Sequence, residues 1–402
     1  MQLRAFGSAT RVFAKQAREE KILAGSSNQW IAASAFGLEG AIAGELKRLG
    51  MKNVQAENGL VRFRGDVLDA YRCNLSLRFS DRVYLLLAEA PCVSFEDLFR
   101  LVSSVPWENY ACGEEFFHIS AQCARSMLMS PRDCQSITKK ALLKRLTERT
   151  GLRIFPEKGT EFPVHVSIHS DTVRLLLDTS GSSLSRRGYR TWNGEAPLRE
   201  TLAASLVEFS PWRPGMPLYD PCCGTGTLLI EAAMRQGHCA PGLHRTFAME
   251  SFCFFPSEKA LLVKREAEAA CRPDFIRRIA GSDIDPAAVE LAERHLKQAG
   301  LSGRVSFCTK PLQEVDLNDE GGVFLCNPPY GERLGDQQYC RGLYHDLGLL
   351  QRRHPTWSLC AISSDPGFER AYGRRADKKR RLYNGRIECQ LFTFHPLQQT
   401  GR

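Results

Sequence analysis

A chain of 402 residues is long for one hydrophobic core, so two or three domains are expected. With 43% hydrophobic and 25% charged residues it has a globular composition, and no apolar run approaches the roughly 20 residues that span a bilayer, which excludes a membrane-inserted helix. The formal charge of +9, from 54 basic and 45 acidic side chains, suits a polyanionic partner where the charges cluster.

Residues 1–28 carry Arg4, Arg11, Lys15, Arg18 and Lys21 without a sustained apolar segment, which argues against a secretory signal. Glu19 and Glu20 argue against an organellar presequence, so this stretch reads as a poorly ordered extension. From Trp30 the pattern becomes regular. A strand-like start is followed by helical spacing from Leu38 to Leu49 with Gly50 as a stop, and Gly59 to Phe63 alternates as a strand, giving a small α+β unit over 29–70.

A second unit is expected over 71–182. Phe116 to Ala121 reads as a strand, and Cys134 to Arg149 as a helix with Ile137, Ala141, Leu142 and Leu146 on one face and Lys139, Lys140, Lys144 and Arg145 on the other. Val164 to Ile168 and Val173 to Asp178 alternate around Ser170-Asp171, a hairpin signature. A cationic helix face is usually only solvated, and it gains meaning beside a nucleobase site.

Beyond the basic patch Arg186-Arg187-Gly188-Tyr189-Arg190, the remainder (183–402) alternates strand and helix. Strands are expected at 217–220, 279–283, 304–308, 322–326 and 357–363, and helices at 226–236, 286–299 and 337–353. Such alternation implies an α/β fold with a parallel, doubly wound sheet. Two further strands flank Asn384-Gly385, a strong hairpin signal. A seven-stranded Rossmann-like sheet that closes on an antiparallel hairpin is the architecture of class I methyltransferases rather than of dehydrogenases.

Three motifs fall at strand ends. Asp220-Pro221-Cys222-Cys223-Gly224-Thr225-Gly226-Thr227 is a strand running into a glycine turn that opens a helix, where backbone N–H groups can meet a carboxylate or phosphate. Leu229 stands where the third glycine of a dinucleotide motif would be. Asp283 ends the next strand, where an acid can accept both ribose hydroxyls, while Asp285 before Pro286 reads as a helix cap. The spacing from the glycine turn implies an insertion carrying Ala240 to Arg245. Asn327-Pro328-Pro329-Tyr330 is a stiff turn: the Asn327 side-chain oxygen and the Pro328 carbonyl can each accept one hydrogen of an exocyclic amine, and Tyr330 can stack on its base. Accepting both hydrogens returns the delocalised lone pair to the nitrogen. The fifteen cysteines are scattered without CxxC or Cys/His ligand spacing, so reduced thiols, a cytoplasmic setting and no metal are expected.

These residues resemble the THUMP-domain RNA methyltransferases, in particular the N-terminal half of the bacterial enzyme that forms N2-methylguanosine in 23S rRNA. The likeness runs from about Ala32 to Pro396. It is carried by Ala35 to Glu39, Arg187 to Arg190, Ala196 to Ala204, Asp220 to Thr227, Ala240 to Arg245, Asn327 to Arg333 and Ala376 to Lys378. The resemblance implies a ferredoxin-like piece over 29–70, an RNA-binding THUMP domain over 71–182 and a methyltransferase domain over 183–402. It further implies that Asp220, Pro221, Cys222, Gly224, Thr225, Gly226, Thr227, Asp283 and Ile284 hold S-adenosylmethionine, and that Asn327, Pro328, Pro329 and Tyr330 hold the target base. One departure stands out: where many class I enzymes place an acid to meet the adenine amine, this chain has Lys310-Pro311. Lys139, Lys140, Arg186 and Arg187, with Arg374, Arg375, Lys378 and Lys379 of the basic tract 370–381, are the candidate RNA contacts. The alternatives are a tRNA guanine-N2 methyltransferase, an adenine-N6 methyltransferase and a non-catalytic RNA-binding assembly factor.

Overall fold

The computed structural model describes residues 28–190, 198–317, 321–330 and 336–397. The extension expected over 1–28 lies outside them except for Asn28, which opens the first strand.

Two seven-stranded sheets organise the chain. The first contains β1 (Asn28–Ala33), β2 (Lys52–Glu57), β3 (Leu60–Gly65), β4 (Arg82–Pro91), β5 (Phe116–Ala124), β6 (Glu161–His169) and β7 (Thr172–Asp178) in the order β2-β3-β1-β4-β7-β6-β5. Period-two patterning builds it: Phe162, Val164, Val166 and Ile168 of β6 all turn inward. Ser170 and Asp171 both take positive φ between β6 and β7, as a two-residue hairpin turn requires. Helices α1 (Glu39–Arg48), α2 (Val67–Ser76), α3 (Phe95–Ser104) and α4 (Pro131–Thr150) pack on this unit. The last starts three residues before the expected Cys134, because Ser130 caps it and Pro131 occupies its first turn. Strand β4 pairs with β1 on one side and β7 on the other, so the units expected at 29–70 and 71–182 share one continuous sheet.

The second sheet contains β8 (Leu218–Asp220), β9 (Ile279–Asp283), β10 (Ser306–Thr309), β11 (Val323–Cys326), β12 (Ser358–Ser363), β13 (Lys378–Asn384) and β14 (Ile387–Phe394). Their order is β10-β9-β8-β11-β12-β14-β13, parallel through β12 and closed by the antiparallel β13–β14 hairpin at Asn384-Gly385. Its helices are α5 (Glu200–Phe209), α6 (Thr227–Gln236), α7 (Ser257–Ala270), α8 (Pro286–Gln298), α9 (Asp336–Arg353) and α10 (Phe368–Tyr372). The chain steps outward from β8 through β9 to β10, then returns to β11 on the other flank of β8. The switch point therefore lies between β8 and β11, whose register pairs Leu218 with Val323 and Tyr219 with Phe324. This is the expected Rossmann-like methyltransferase architecture behind a ferredoxin-like/THUMP region.

Ionic and backbone contacts weld the two halves. Arg187 is only 2% exposed: its guanidinium donates to the carbonyls of Leu77 and Leu184 and pairs with buried Glu231 at 3.3 Å. The expectation that Arg187 meets RNA is corrected here, since a buried guanidinium must spend its donors inside the protein. Arg245, from the insertion after α6, donates to the carbonyls of Ser182, Ser183 and Arg186. The Gly242 N–H meets the Leu75 carbonyl at 2.8 Å, and a β-carbon there would lie 2.9 Å from the Asn74 carbonyl oxygen. The insertion also carries a Cys239–Cys271 disulfide, which corrects the expectation of wholly reduced thiols. The pairing joins residues 32 apart, so no short cysteine spacing announces it.

Candidate active site

The glycine turn is held open by carboxylates. Asp283 accepts the Gly224 N–H at 2.8 Å through one oxygen and the Asp285 N–H at 3.1 Å through the other. Asp220 accepts the Cys222 N–H at 3.0 Å, and Asp285 caps α8 through the Ala287 N–H. Gly224 has φ +49°, and a β-carbon there would meet nothing within 4 Å, so the backbone presents an open face to a ligand. Gly226 differs. Its φ is +78° and a β-carbon there would clash with Ala292 and Phe307 at 2.9 Å, so close packing requires glycine at this position as well.

Two cavities flank this turn. One of about 450 Å³ is lined by Leu198, Asp220, Cys222, Gly224, Thr225, Thr227 and Asn327, among others. The second, of about 410 Å³, is walled by Pro221, Cys222, Asp283, Ile284, Pro329 and Tyr339. Cys222 lines both, so the two cavities adjoin at the glycine turn. Ile284 is 66% exposed and gives the second cavity an apolar wall. Burial drives the Asp220 carboxyl well above the carboxylate range, opposed by the Cys222 N–H and reinforced by the charge of Asp283. Burial likewise drives the Cys222 thiol up, so it stays neutral. Acidic groups that resist ionising without a countercharge are suited to a cationic ligand, and the open Gly224 backbone beside them fits S-adenosylmethionine.

On the far side of the switch point, Pro328 is buried, Pro329 is exposed and Asn327 is half-buried. The Tyr330 hydroxyl donates to Asn327 Oδ1, which orients the amide oxygen. A residue the motif did not announce supports this turn from behind. Tyr344, fully buried on α9, donates its hydroxyl to the Pro329 carbonyl at 2.8 Å and lies 3.3 Å from Ser363 Oγ at the end of β12. Its only sequence signal is an aromatic residue on the apolar face of a helix, which most core tyrosines share. Arg190, the last residue of the Arg187–Arg190 block, donates to the Leu198 carbonyl and to Thr227 Oγ1 and pairs with Glu200 at 3.6 Å, closing the first cavity's wall.

The remaining basic residues divide. Lys139, Lys140, Arg186, Arg375 and Lys378 are exposed. Arg374 is tied to Asp377 and the His395 carbonyl at the base of the hairpin. Lys379 pairs with Glu369 at 3.0 Å. A β-carbon on Gly37, after β1, would lie 3.3 Å from the Arg381 carbonyl oxygen, so the N-terminal unit abuts the basic edge strand β13.

Known families match the chain in three consecutive parts: an RlmL ferredoxin-like domain over 29–84, a THUMP domain over 92–178 and an RMKL-like methyltransferase domain over 187–393. The RNA methyltransferase candidate YpsC of Bacillus subtilis is 36% identical over 90% of this chain and 95% of its own length. The ribosomal RNA large subunit methyltransferase K/L of Syntrophotalea carbinolica is 34% identical over 92% of this chain but 54% of its own length, so the chain spans about half of that relative. Among solved structures, the methyltransferase candidate SMU.472 complexed with SAH is 37% identical with a TM-score of 0.88, covering 94% of this chain and 100% of that one.

Proposed function

For a chain that belongs to the RMKL-like methyltransferases carrying RlmL ferredoxin-like and THUMP domains, with S-adenosylmethionine as cofactor, we propose methyl transfer to the exocyclic N2 amine of a guanosine in large-subunit ribosomal RNA, in the cytoplasm. The observation that carries this reading is a single cavity walled by Asp220, Cys222, Gly224, Thr225 and Thr227 on one side of the switch point and by Asn327 on the other. The kinship with K/L enzymes supports RNA and the ribosome, and the THUMP match supports an RNA partner.

S-adenosylmethionine supplies an activated methyl group, so the protein's task is alignment. Asp283 would take the ribose hydroxyls, Ile284 would cover the adenine and the Gly224 turn would approach the rest of the donor, a reading supported by their positions in the two cavity walls. Asn327 Oδ1 and the Pro328 carbonyl accept the two amine hydrogens. Tyr330 lies against the base, and its hydroxyl leaves Asn327 Oδ1 a second lone pair for the amine. A paired guanine leaves its stack first, at a few kcal/mol. No dedicated base is required, because the nitrogen becomes more acidic once methylated.

Asn327→Ala is expected to abolish transfer to unmethylated ribosomal RNA while calorimetry shows S-adenosylmethionine binding unchanged. Retained transfer would remove the clamp from the mechanism. Nucleoside mass spectrometry of the product should give N2-methylguanosine; N6-methyladenosine would overturn the choice of base, and a methylated tRNA with untouched rRNA would overturn the choice of substrate.

A further inference from the structure

Cys112 and Cys253 lie 141 positions apart in the chain, yet their sulfur atoms and a carboxylate oxygen of Glu115 lie within 4.8 Å of one another. Cys112 follows the short turn Trp107–Asn109 between α3 and β5, in the THUMP region. Cys253 follows the turn Ala248–Ser251 in the methyltransferase insertion. From these three groups we propose a site for a thiophilic divalent cation, zinc by its chemistry, that staples the THUMP region to the methyltransferase domain.

The donor set suits the ion. Two thiolates select a soft or borderline metal, and zinc accepts sulfur and carboxylate oxygen together, with a fourth position left for water. The carboxylate is already aimed. The Cys112 N–H donates to both Glu115 oxygens at 2.9 and 3.1 Å, and the Gly113 N–H donates to one of them at 2.8 Å. Metal-binding carboxylates are commonly held by hydrogen bonds of this kind. Glu115 is only 4% exposed. A buried carboxylate ordinarily has a cationic partner or a metal, and backbone donors offset only part of its desolvation.

The surroundings hold the thiols at this spacing. Tyr110 packs edge-on against Phe254, and the Cys253 sulfur sits 3.5 Å from the Tyr110 carbonyl. Phe252 and Phe254 are buried, and Phe252 packs on Phe162 of the first sheet. Binding would deprotonate the two thiols and release their protons to solvent, so metal affinity should rise with pH.

The test uses the full purified chain. After removal of adventitious metal under reducing conditions, zinc is titrated, and cobalt(II) is used as the spectroscopic probe. Stoichiometric zinc and a thiolate-to-cobalt charge-transfer absorption are expected. Cys112→Ser and Cys253→Ser should each abolish that absorption, and Glu115→Gln should weaken zinc binding at least about tenfold, as loss of a metal-site partner commonly does. Retained S-adenosylmethionine binding shows that the variants fold. Should a variant not fold, zinc must protect Cys112 and Cys253 of the wild-type chain from alkylation, read by peptide mass spectrometry. Substoichiometric metal, unchanged binding in both serine variants, absence of protection, or recovery of Cys112 and Cys253 as a disulfide would each overturn the site.

Discussion

At the Pro329 carbonyl, the buried hydroxyl of Tyr344 does what solvent would do on a mobile turn, fixing the second proline from behind, next to Asn327 in the cavity wall. Removing that hydroxyl leaves a carbonyl without its donor, at about 1–3 kcal/mol, and lets the turn move. Tyr344→Phe is therefore expected to lower kcat about tenfold, equivalent to about 1.4 kcal/mol in the barrier, with the donor's dissociation constant unchanged. Steady-state kinetics paired with calorimetry checks the split; an unchanged kcat would remove Tyr344 from the positioning set. Asp220 makes a different prediction. Burial raises its pKa in the ligand-free protein, with Asp283 as the nearby like charge, whereas a cationic sulfonium donor favours its ionised form. Donor binding should then expel a proton, so affinity falls as pH is lowered. Asp220→Asn should flatten that dependence, measured by calorimetry in buffers of different ionisation enthalpy.

Among the elements, β13 shows how an expected charge tract divides once neighbours are known. Arg374 and Lys379 meet Asp377 and Glu369, Arg380 lies 3.9 Å over the Phe209 ring, and Arg381 sits 3.4 Å from Glu388. An edge strand studded with cations also deters pairing with other chains, so the tract serves the fold in any case. Arg375 and Lys378 are exposed, and they are the residues of this tract that we propose for phosphate contact. Replacing both with serine should reduce the slope of log affinity for RNA against log salt by about 0.7–0.9 for each phosphate no longer neutralised, while Arg374→Ser should act chiefly on stability. Filter binding across a salt series distinguishes the two. The β/α alternation from 217 to 363 and the Asn384-Gly385 hairpin were legible because period, turn chemistry and helix starts are local signals. Strand β4 and helices α2 and α3 escaped that reading. In β4, Ala88, Glu89 and Ala90 dilute the apolar pattern toward one end, and pairing with β7 supplies what propensity does not.

For the molecule as a whole, the joint between the two sheets depends on buried ions. Glu45 on α1 accepts the Arg78 and Phe79 N–H groups, and burial pushes its carboxyl up to about 7 against the opposing pull of Arg78 and, more weakly, Arg187. Because the folded pKa exceeds the unfolded 4.5, this residue's contribution is fully present below pH 4.5 and is lost as pH rises through about 7. Relative to Glu45→Gln, the wild-type chain should lose about 3 kcal/mol of stability across that window, read from denaturant midpoints at several pH values. A constant difference between the two proteins would exclude the linkage.

The order of motifs and their positions at successive strand ends could be read from the amino acids alone, because glycine turns, proline turns and helix caps are written within a few consecutive residues. The two-part architecture followed for the same reason. Folding alone decided that Arg187 is an internal brace while Arg186 faces solvent, that Tyr344 supports Pro329, and that Cys112 meets Cys253. Each of these joins segments remote in the chain, and side-chain type carries no information about the distant partner until packing brings the two together.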